Sequence, residues 1–270
     1  MRSVAERHAV PSWNAPGDRR RGAARRTWTW VTVPYYIGMA TLCGCAAPRA
    51  VQGGAGAHVV MLPGITGAWR VPRLARLIDD EVTDTTAQVW DWTAIEPGTP
   101  LANLMDVERN GRRAGMLARQ LRTWRGGHPS ARLYLVAYSG GAELVRAVCD
   151  RLPEDFAIER VVFISAALSP RVDLGPVLRR SRLGVFNYYS AKDSVVLGLG
   201  TRLFGTSDRV HGASAGHVGF DAGAVGAEGS KLVQLPWVPE MRRFGNYGGH
   251  TGRLATGFFR RYVLPALGGA

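Results

Sequence analysis

The sequence predicts an α/β protein built on a mostly parallel central sheet with helices on both faces. Three observations predict it. Short, nearly unbroken apolar runs recur along the chain, at residues 59–62, 133–138 and 161–165 among others. Stretches with apolar side chains at helical spacing lie between them, at 110–124 and 142–152. Glycine, proline and serine mark the changeovers, as in Pro63-Gly64 and Ser139-Gly140-Gly141. A strand covered on both faces has no polar side to show, so it reads as a run rather than an alternation, and such strands belong to parallel sheets flanked by helices.

Each element follows in order. Residues 59–62 read as the first strand, stopped by Pro63-Gly64, and 88–92 as the second. In 110–124, Met116, Leu117, Leu121 and Trp124 share one helical face with basic residues between them. Residues 133–138 form the third strand, and 142–152 a helix with Leu144, Val145 and Val148 on one side. The fourth, fifth and sixth strands are 161–165, 185–189 and 232–235. Residues 253–267 read as a closing helix broken near Pro265, because proline cannot donate to the helix ladder. The connection 198–230 is long and rich in glycine, and a connection of that length is expected to be functional.

Composition bounds the function. A chain of 270 residues with 46% hydrophobic content suits one mid-sized globular domain and a short N-terminal extension. The formal charge of +13 raises nucleic acid as a partner, but its distribution argues against one. Residues 1–45 hold seven arginines and two acids, so +5 of the total sits there, and the remaining arginines are scattered. Nearly all the positive charge is arginine; Lys192 and Lys231 are the only lysines. The three cysteines, Cys43, Cys45 and Cys149, form neither a zinc pattern nor a disulfide framework. Cys149 falls in an apolar helical pattern and reads as a buried free thiol.

The N-terminus reads as an address. Residues 1–27 are polar and basic, with Arg19, Arg20, Arg21, Arg25 and Arg26. Residues 28–42 are mostly apolar, and Cys43, Gly44, Cys45 and two alanines follow. A basic region, an apolar core and a small-residue site make a secretory signal, and the core is too short and interrupted for a membrane span. Leu42-Cys43-Gly44-Cys45 resembles a bacterial lipobox, in which the last cysteine is lipidated. The division expected is a signal at 1–45, a flexible tether at 46–57 and a folded domain at 58–270. The product is expected outside the cytoplasm, held to a membrane surface through Cys45; plain export and a signal anchor are the alternatives.

The stretch from Leu133 to Glu143, LYLVAYSGGAE, joins an apolar strand to a helix through a tight turn at Ser139. It resembles the nucleophile elbow of the α/β-hydrolases, G-x-S-x-G, with Ala137 at the first position and Gly141 at the last. The elbow brings strand and helix so close that both flanks must be small. A serine capping an ordinary helix is the rival account. Val59 to Gly67, VVMLPGITG, resembles the early strand and oxyanion loop of the same family. The resemblance makes the backbone N–H groups of Ile65 and Gly140 the oxyanion donors. The family order of serine, acid and histidine points to Asp193, which follows the fifth strand in FNYYSAKDSVV, and to His250, which follows the sixth in GNYGGHTG. Asp173 and Asp221 are weaker candidates for the acid, and His211 and His217 for the base.

The resemblance spans residues 58–264 and implies an α/β-hydrolase fold with little or no cap domain, since the connection between the fourth and fifth strands is short. It implies a serine hydrolase acting through an acyl-enzyme, with Ser139 as nucleophile, His250 as base and Asp193 orienting His250. No metal or cofactor is expected. The expected substrate is a small-molecule or lipid carboxylic ester. Trp90, Trp92, Trp237 and Phe244 are candidates for an acyl pocket, or else plain core. An acyltransferase, or a lipoprotein using the fold only as a binding scaffold, are the alternative functions.

Overall fold

The computed structural model describes residues 50–52, 56–93, 99–194, 205–221, 223 and 225–268. The signal-like segment, Cys43, Cys45 and most of the tether lie outside the described residues. Six strands form one sheet: β1 (Ala57–Leu62), β2 (Thr85–Val89), β3 (Arg132–Tyr138), β4 (Arg160–Ile164), β5 (Val185–Tyr189) and β6 (Leu232–Pro236). They pair in the order β2-β1-β3-β4-β5-β6, and every pair is parallel. The α-helices are α1 (Val71–Glu81), α2 (Thr99–Met105), α3 (Val107–Gly127), α4 (Gly141–Cys149), α5 (Gly175–Arg180), α6 (Ala215–Val218) and α7 (Thr256–Phe258), and short 3₁₀ and π segments accompany them.

Side chains alternate across the sheet and divide the core into two layers. Val60, Leu62, Leu133, Leu135 and Ala137 face the layer that holds Leu117 and Leu121 of α3 and Val145 and Val148 of α4. Val59, Met61, Tyr134 and Val136 face the layer that holds Leu74 and Ile78 of α1 and Phe258, Phe259 and Val263 of the closing segment. Because both faces of β1 and β3 are covered, their sequences are apolar apart from His58 and the exposed Arg132 at the start of β3, as expected. This is the α/β-hydrolase fold. Among the described residues, the connection between β4 and β5 carries α5 and no cap domain.

Two expectations are corrected, and one helix was not expected. The second strand forms at Thr85–Val89 rather than at 88–92. Trp90 and Trp92, which gave that stretch its apolar character, are buried just past the strand, where Trp92 Nε1 donates to the Pro63 carbonyl at 2.8 Å. The β-branched Thr85 and Thr86 supply the strand's actual start. The closing segment is not one helix from residue 253. A 3₁₀ turn (Gly252–Leu254) ends at an extended Ala255; α7, a wider π turn (Phe259–Val263) and a last 3₁₀ turn (Leu264–Leu267) then follow. Pro265 has no N–H to continue an α ladder, so the hydrogen-bond register changes before it. Finally, α1 was not foreseen, although Pro72 in its first turn and buried Val71, Leu74, Ala75, Leu77 and Ile78 are a plain amphipathic pattern.

The exposed flank of β2 is partly occupied. Gln88 accepts from Gln52 N at 2.9 Å and donates to the Ala50 carbonyl at 2.9 Å, so the end of the expected tether lies along this edge. Cys149 is buried, and burial pushes its thiol up to about 12, out of reach of ordinary thiol chemistry.

His58 in β1 is 1% exposed, with its ring centroid 5.5 Å from that of Trp124 and Nδ1 2.9 Å from Thr86 Oγ1. Burial lowers its pKa from 6.5 to about 4, against the opposing hydrogen bond with Thr86. The unfolded chain therefore binds a proton at His58 between those two values while the folded chain does not, so stability falls as pH falls through that window. The contribution is about 3 kcal/mol when fully expressed. Urea denaturation at pH 7 and pH 4.5 is expected to show a loss that His58→Phe reduces by about 2–3 kcal/mol.

Candidate active site

Ser139 stands between β3 and α4 with φ of 53°, in the left-handed region that side-chain-bearing residues avoid. The surroundings fix it there. Its N–H donates to the Ile164 carbonyl at 3.0 Å, and its own carbonyl accepts from Ala167 N at 3.1 Å. Ala137 is fully buried between Leu62 of β1 and Phe163 of β4. A Cβ on Gly141 would lie 2.6 Å from the carbonyl oxygens of both Leu62 and Pro63, so only glycine lets α4 start this close to β1. The capping account does not hold: Gly140 stands at the N-cap, and no side chain caps α4. The Ser139 hydroxyl instead faces His250, with Oγ 3.1 Å from Nε2.

His250 Nδ1 lies 2.7 Å from Asp193 Oδ2, which completes an unbroken chain from carboxylate to hydroxyl. Asp193 is 2% exposed, in a turn past β5 where its N–H donates to the Ser190 carbonyl at 3.0 Å. It is not a surface aspartate paired with its neighbour Lys192. Lys192 Nζ lies 4.2 Å from the Trp237 ring instead. Trp237 Nε1 donates to the Asn246 carbonyl at 2.9 Å, which braces the loop leading to His250. Tyr138 OH donates to the His250 carbonyl at 3.2 Å, with the two rings 5.0 Å apart.

Arg253 is a residue the sequence did not point to. Its side chain is 1% exposed, and Nη1 contacts Ser165 Oγ and lies 3.5 Å from Asp193 Oδ2, the oxygen that also holds His250. Ser165 is fully buried at φ of 54° just past β4. Burial lowers the guanidinium to about 10, with Asp193 opposing, so it stays charged near neutrality.

The loop after β1 packs onto the elbow. Gly67 N donates to the Gly64 carbonyl at 3.0 Å, and a Cβ on Gly64 would sit 3.1 Å from the Tyr138 ring and 3.2 Å from Ser139 Cβ. Asn103 of α2, 1% exposed, donates through Nδ2 to the Ile65 carbonyl at 2.8 Å and accepts at Oδ1 from Arg109 at 2.7 Å. Asn103 is a second residue missed from sequence, because its partner is 38 positions away and no local pattern marks it. The N–H groups of Ile65 and Gly140 donate to no backbone carbonyl among the described residues.

The other candidates lie elsewhere. Asp173 accepts from Gly175 N at 2.7 Å, and Asp221 pairs with Arg171 at 3.2 Å. His217 belongs to α6, and His211 to an exposed turn before it. Trp90 is core, and Phe244 stacks edge-on against Tyr262 at 5.7 Å. Trp92 reaches the elbow: its Cζ2 would be 3.6 Å from a Cβ on Gly140. No group of three metal-ligating side chains occurs among the described residues.

No family model and no curated protein matches the chain. Solved structures do. A predicted CIB-like hydrolase from Thermoplasma acidophilum matches at 10% identity and a TM-score of 0.44, over 80% of this chain and 88% of that one. A cutinase-like protein from Cryptococcus sp. matches at 12% identity and 0.42, over 82% and 100%. The catalytic core domain of acetyl xylan esterase from Trichoderma reesei matches at 15% and 0.39, over 80% and 100%. At these identities and scores the likeness is one of chain path, and it carries no substrate or mechanism to this chain.

Removing the guanidinium leaves Asp193 buried beside an unfilled space. Arg253→Met is expected to cost about 3–5 kcal/mol in urea denaturation. Adding Asp193→Asn to Arg253→Met should recover part of that loss, because the cost comes from the uncompensated charge.

Proposed function

We propose that this protein is a serine hydrolase that cleaves carboxylic esters through an acyl-enzyme. The observation that carries this reading is the unbroken contact from Asp193 through His250 to a Ser139 held at φ of 53°. In the proposed reaction, Ser139 Oγ attacks the ester carbonyl carbon as its proton passes to His250 Nε2. Asp193 fixes the imidazole so that Nε2 faces the serine and stabilises the imidazolium. The carbonyl oxygen becomes an oxyanion received by the N–H groups of Ile65 and Gly140, at the positive end of α4. Collapse expels the alcohol, which takes the proton from His250. Water then adds to the acyl carbon with His250 as base and releases the acid.

A rigid, pre-formed hole favours substrates with a neutral carbonyl whose charge develops only during reaction. Without a cap among the described residues, short soluble esters suit the site best; residues 198–204, 222 and 224 of the glycine-rich connection lie outside the described residues. The expected test result is labelling of Ser139 by a fluorophosphonate and turnover of a short-chain ester. Ser139→Ala should lower turnover by at least ~10³-fold without loss of folding, His250→Ala nearly as much, and the double variant little further, since the triad acts as a unit. An active, folded Ser139→Ala protein would end this reading. Labelling without ester turnover, but with transfer to an added alcohol, would make it an acyltransferase; no labelling would leave a binding scaffold.

Export and lipidation at Cys45 form a separate proposal, supported by the basic, apolar and small-residue order of residues 1–45. Acyl chains there would hold the enzyme at a membrane surface. The parent protein is expected to partition into detergent when expressed in a bacterium with lipoprotein processing, and Cys45→Ser to remain in the aqueous phase. Equal partitioning of the two would refute lipidation.

A further inference from the structure

We infer that the Ser207 hydroxyl is a third donor to the oxyanion, a role that rests on the hydrolase reading above. Ser207 Oγ is shielded from solvent and has no hydrogen-bond partner among the described residues. A buried hydroxyl without a partner forfeits its hydration and gains nothing in return, so its place asks for a ligand. That place is beside the elbow. A Cβ on Gly140 would lie 3.4 Å from Ser207 Oγ and 2.6 Å from Ile65 Cγ2, so the hydroxyl and Ile65 together wall the α-carbon of Gly140. The two backbone groups assigned to the oxyanion belong to these same residues, Ile65 and Gly140.

The backbone holds Ser207 there before any substrate arrives. Its N–H donates to the Ala167 carbonyl at 2.7 Å, and Ala167 N donates in turn to the Ser139 carbonyl at 3.1 Å, so a single residue links Ser207 to the nucleophile. The turn that carries it is closed by Thr206 N to the Val210 carbonyl at 2.8 Å and by Val210 N to Thr206 Oγ1 at 3.0 Å. Asp208 Oδ1 accepts from Ser169 N at 2.8 Å, and Arg209 reaches Met105 at the end of α2, the helix whose Asn103 holds Ile65. The Ser207 turn and the Ile65 loop are thus tied to common supports. A donor fixed in this way loses no freedom when the oxyanion forms, and this is what makes such donors effective.

The test compares the parent with Ser207→Ala on a short ester and on its thionoester, in which sulfur replaces the carbonyl oxygen. Sulfur accepts hydrogen bonds weakly, so a lost donor penalises the oxygen ester more. For the oxygen ester, kcat should fall at least about tenfold while KM changes less than about twofold. The ratio of oxygen-ester to thionoester turnover should fall by a similar factor. Because the hydroxyl has no hydrogen-bond partner among the described residues, Tm should hold or rise. Unchanged kcat, an unchanged ratio, or a fall in kcat that tracks a fall in Tm would overturn the assignment to Ser207 alone. Absence of Ser139-dependent turnover in the parent would overturn the hydrolase reading and this role with it.

Discussion

The close approach of α4 to β1 is the constraint on which the rest depends. At Gly141 a Cβ would lie 2.6 Å from the carbonyl oxygens of Leu62 and Pro63, and an approach this close makes the chain reverse within the residues between β3 and α4. The reversal places Ser139 in the left-handed region, and the hydrogen bonds from Ser139 to Ile164 and from Ala167 to Ser139 keep it there. The strain of about 1–3 kcal/mol in such a residue is tolerable only when neighbours on both sides hold the turn. Its effect is to lift Oγ out of the sheet toward His250 while the next N–H groups stay at the mouth of a helix. Gly64 and Gly140 then admit the neighbouring loops, and the hydroxyl and the imidazole meet at 3.1 Å.

Around that turn the site is supported in pairs. Asp193 holds His250 from one side and Tyr138 holds its carbonyl from the other. Asn103, itself held by Arg109, fixes the carbonyl of Ile65. Arg253 binds both the carboxylate and Ser165, and so ties the loop past β5 to the loop past β4. Each support comes from an element other than the one it steadies, so the geometry belongs to the whole sheet edge and to no single loop.

Much of this was legible in the sequence. Burial on both faces makes β3 and β4 apolar runs, so the alternation of strand and helix and the two-sided covering could be read directly. Ser139 announced itself because the elbow demands small residues at 137 and 141, and Asp193 and His250 because each follows a strand in chain order. What depends on distant partners was not legible. Arg253 reads as an ordinary basic residue before a helix, Asn103 as a loop amide, and Ser207 as one polar residue in a long connection. Trp90 and Trp92 misplaced the second strand because burial alone does not distinguish a strand from the turn after it.

Parallel pairing has a further consequence for how the molecule is oriented. All six strands run the same way, so the chain enters the sheet at one edge, at Ala57, and Ser139, Asp193 and His250 emerge at the opposite edge. A six-residue strand spans roughly 20 Å. The point where the chain enters β1 and the candidate site are therefore separated by about the depth of the sheet.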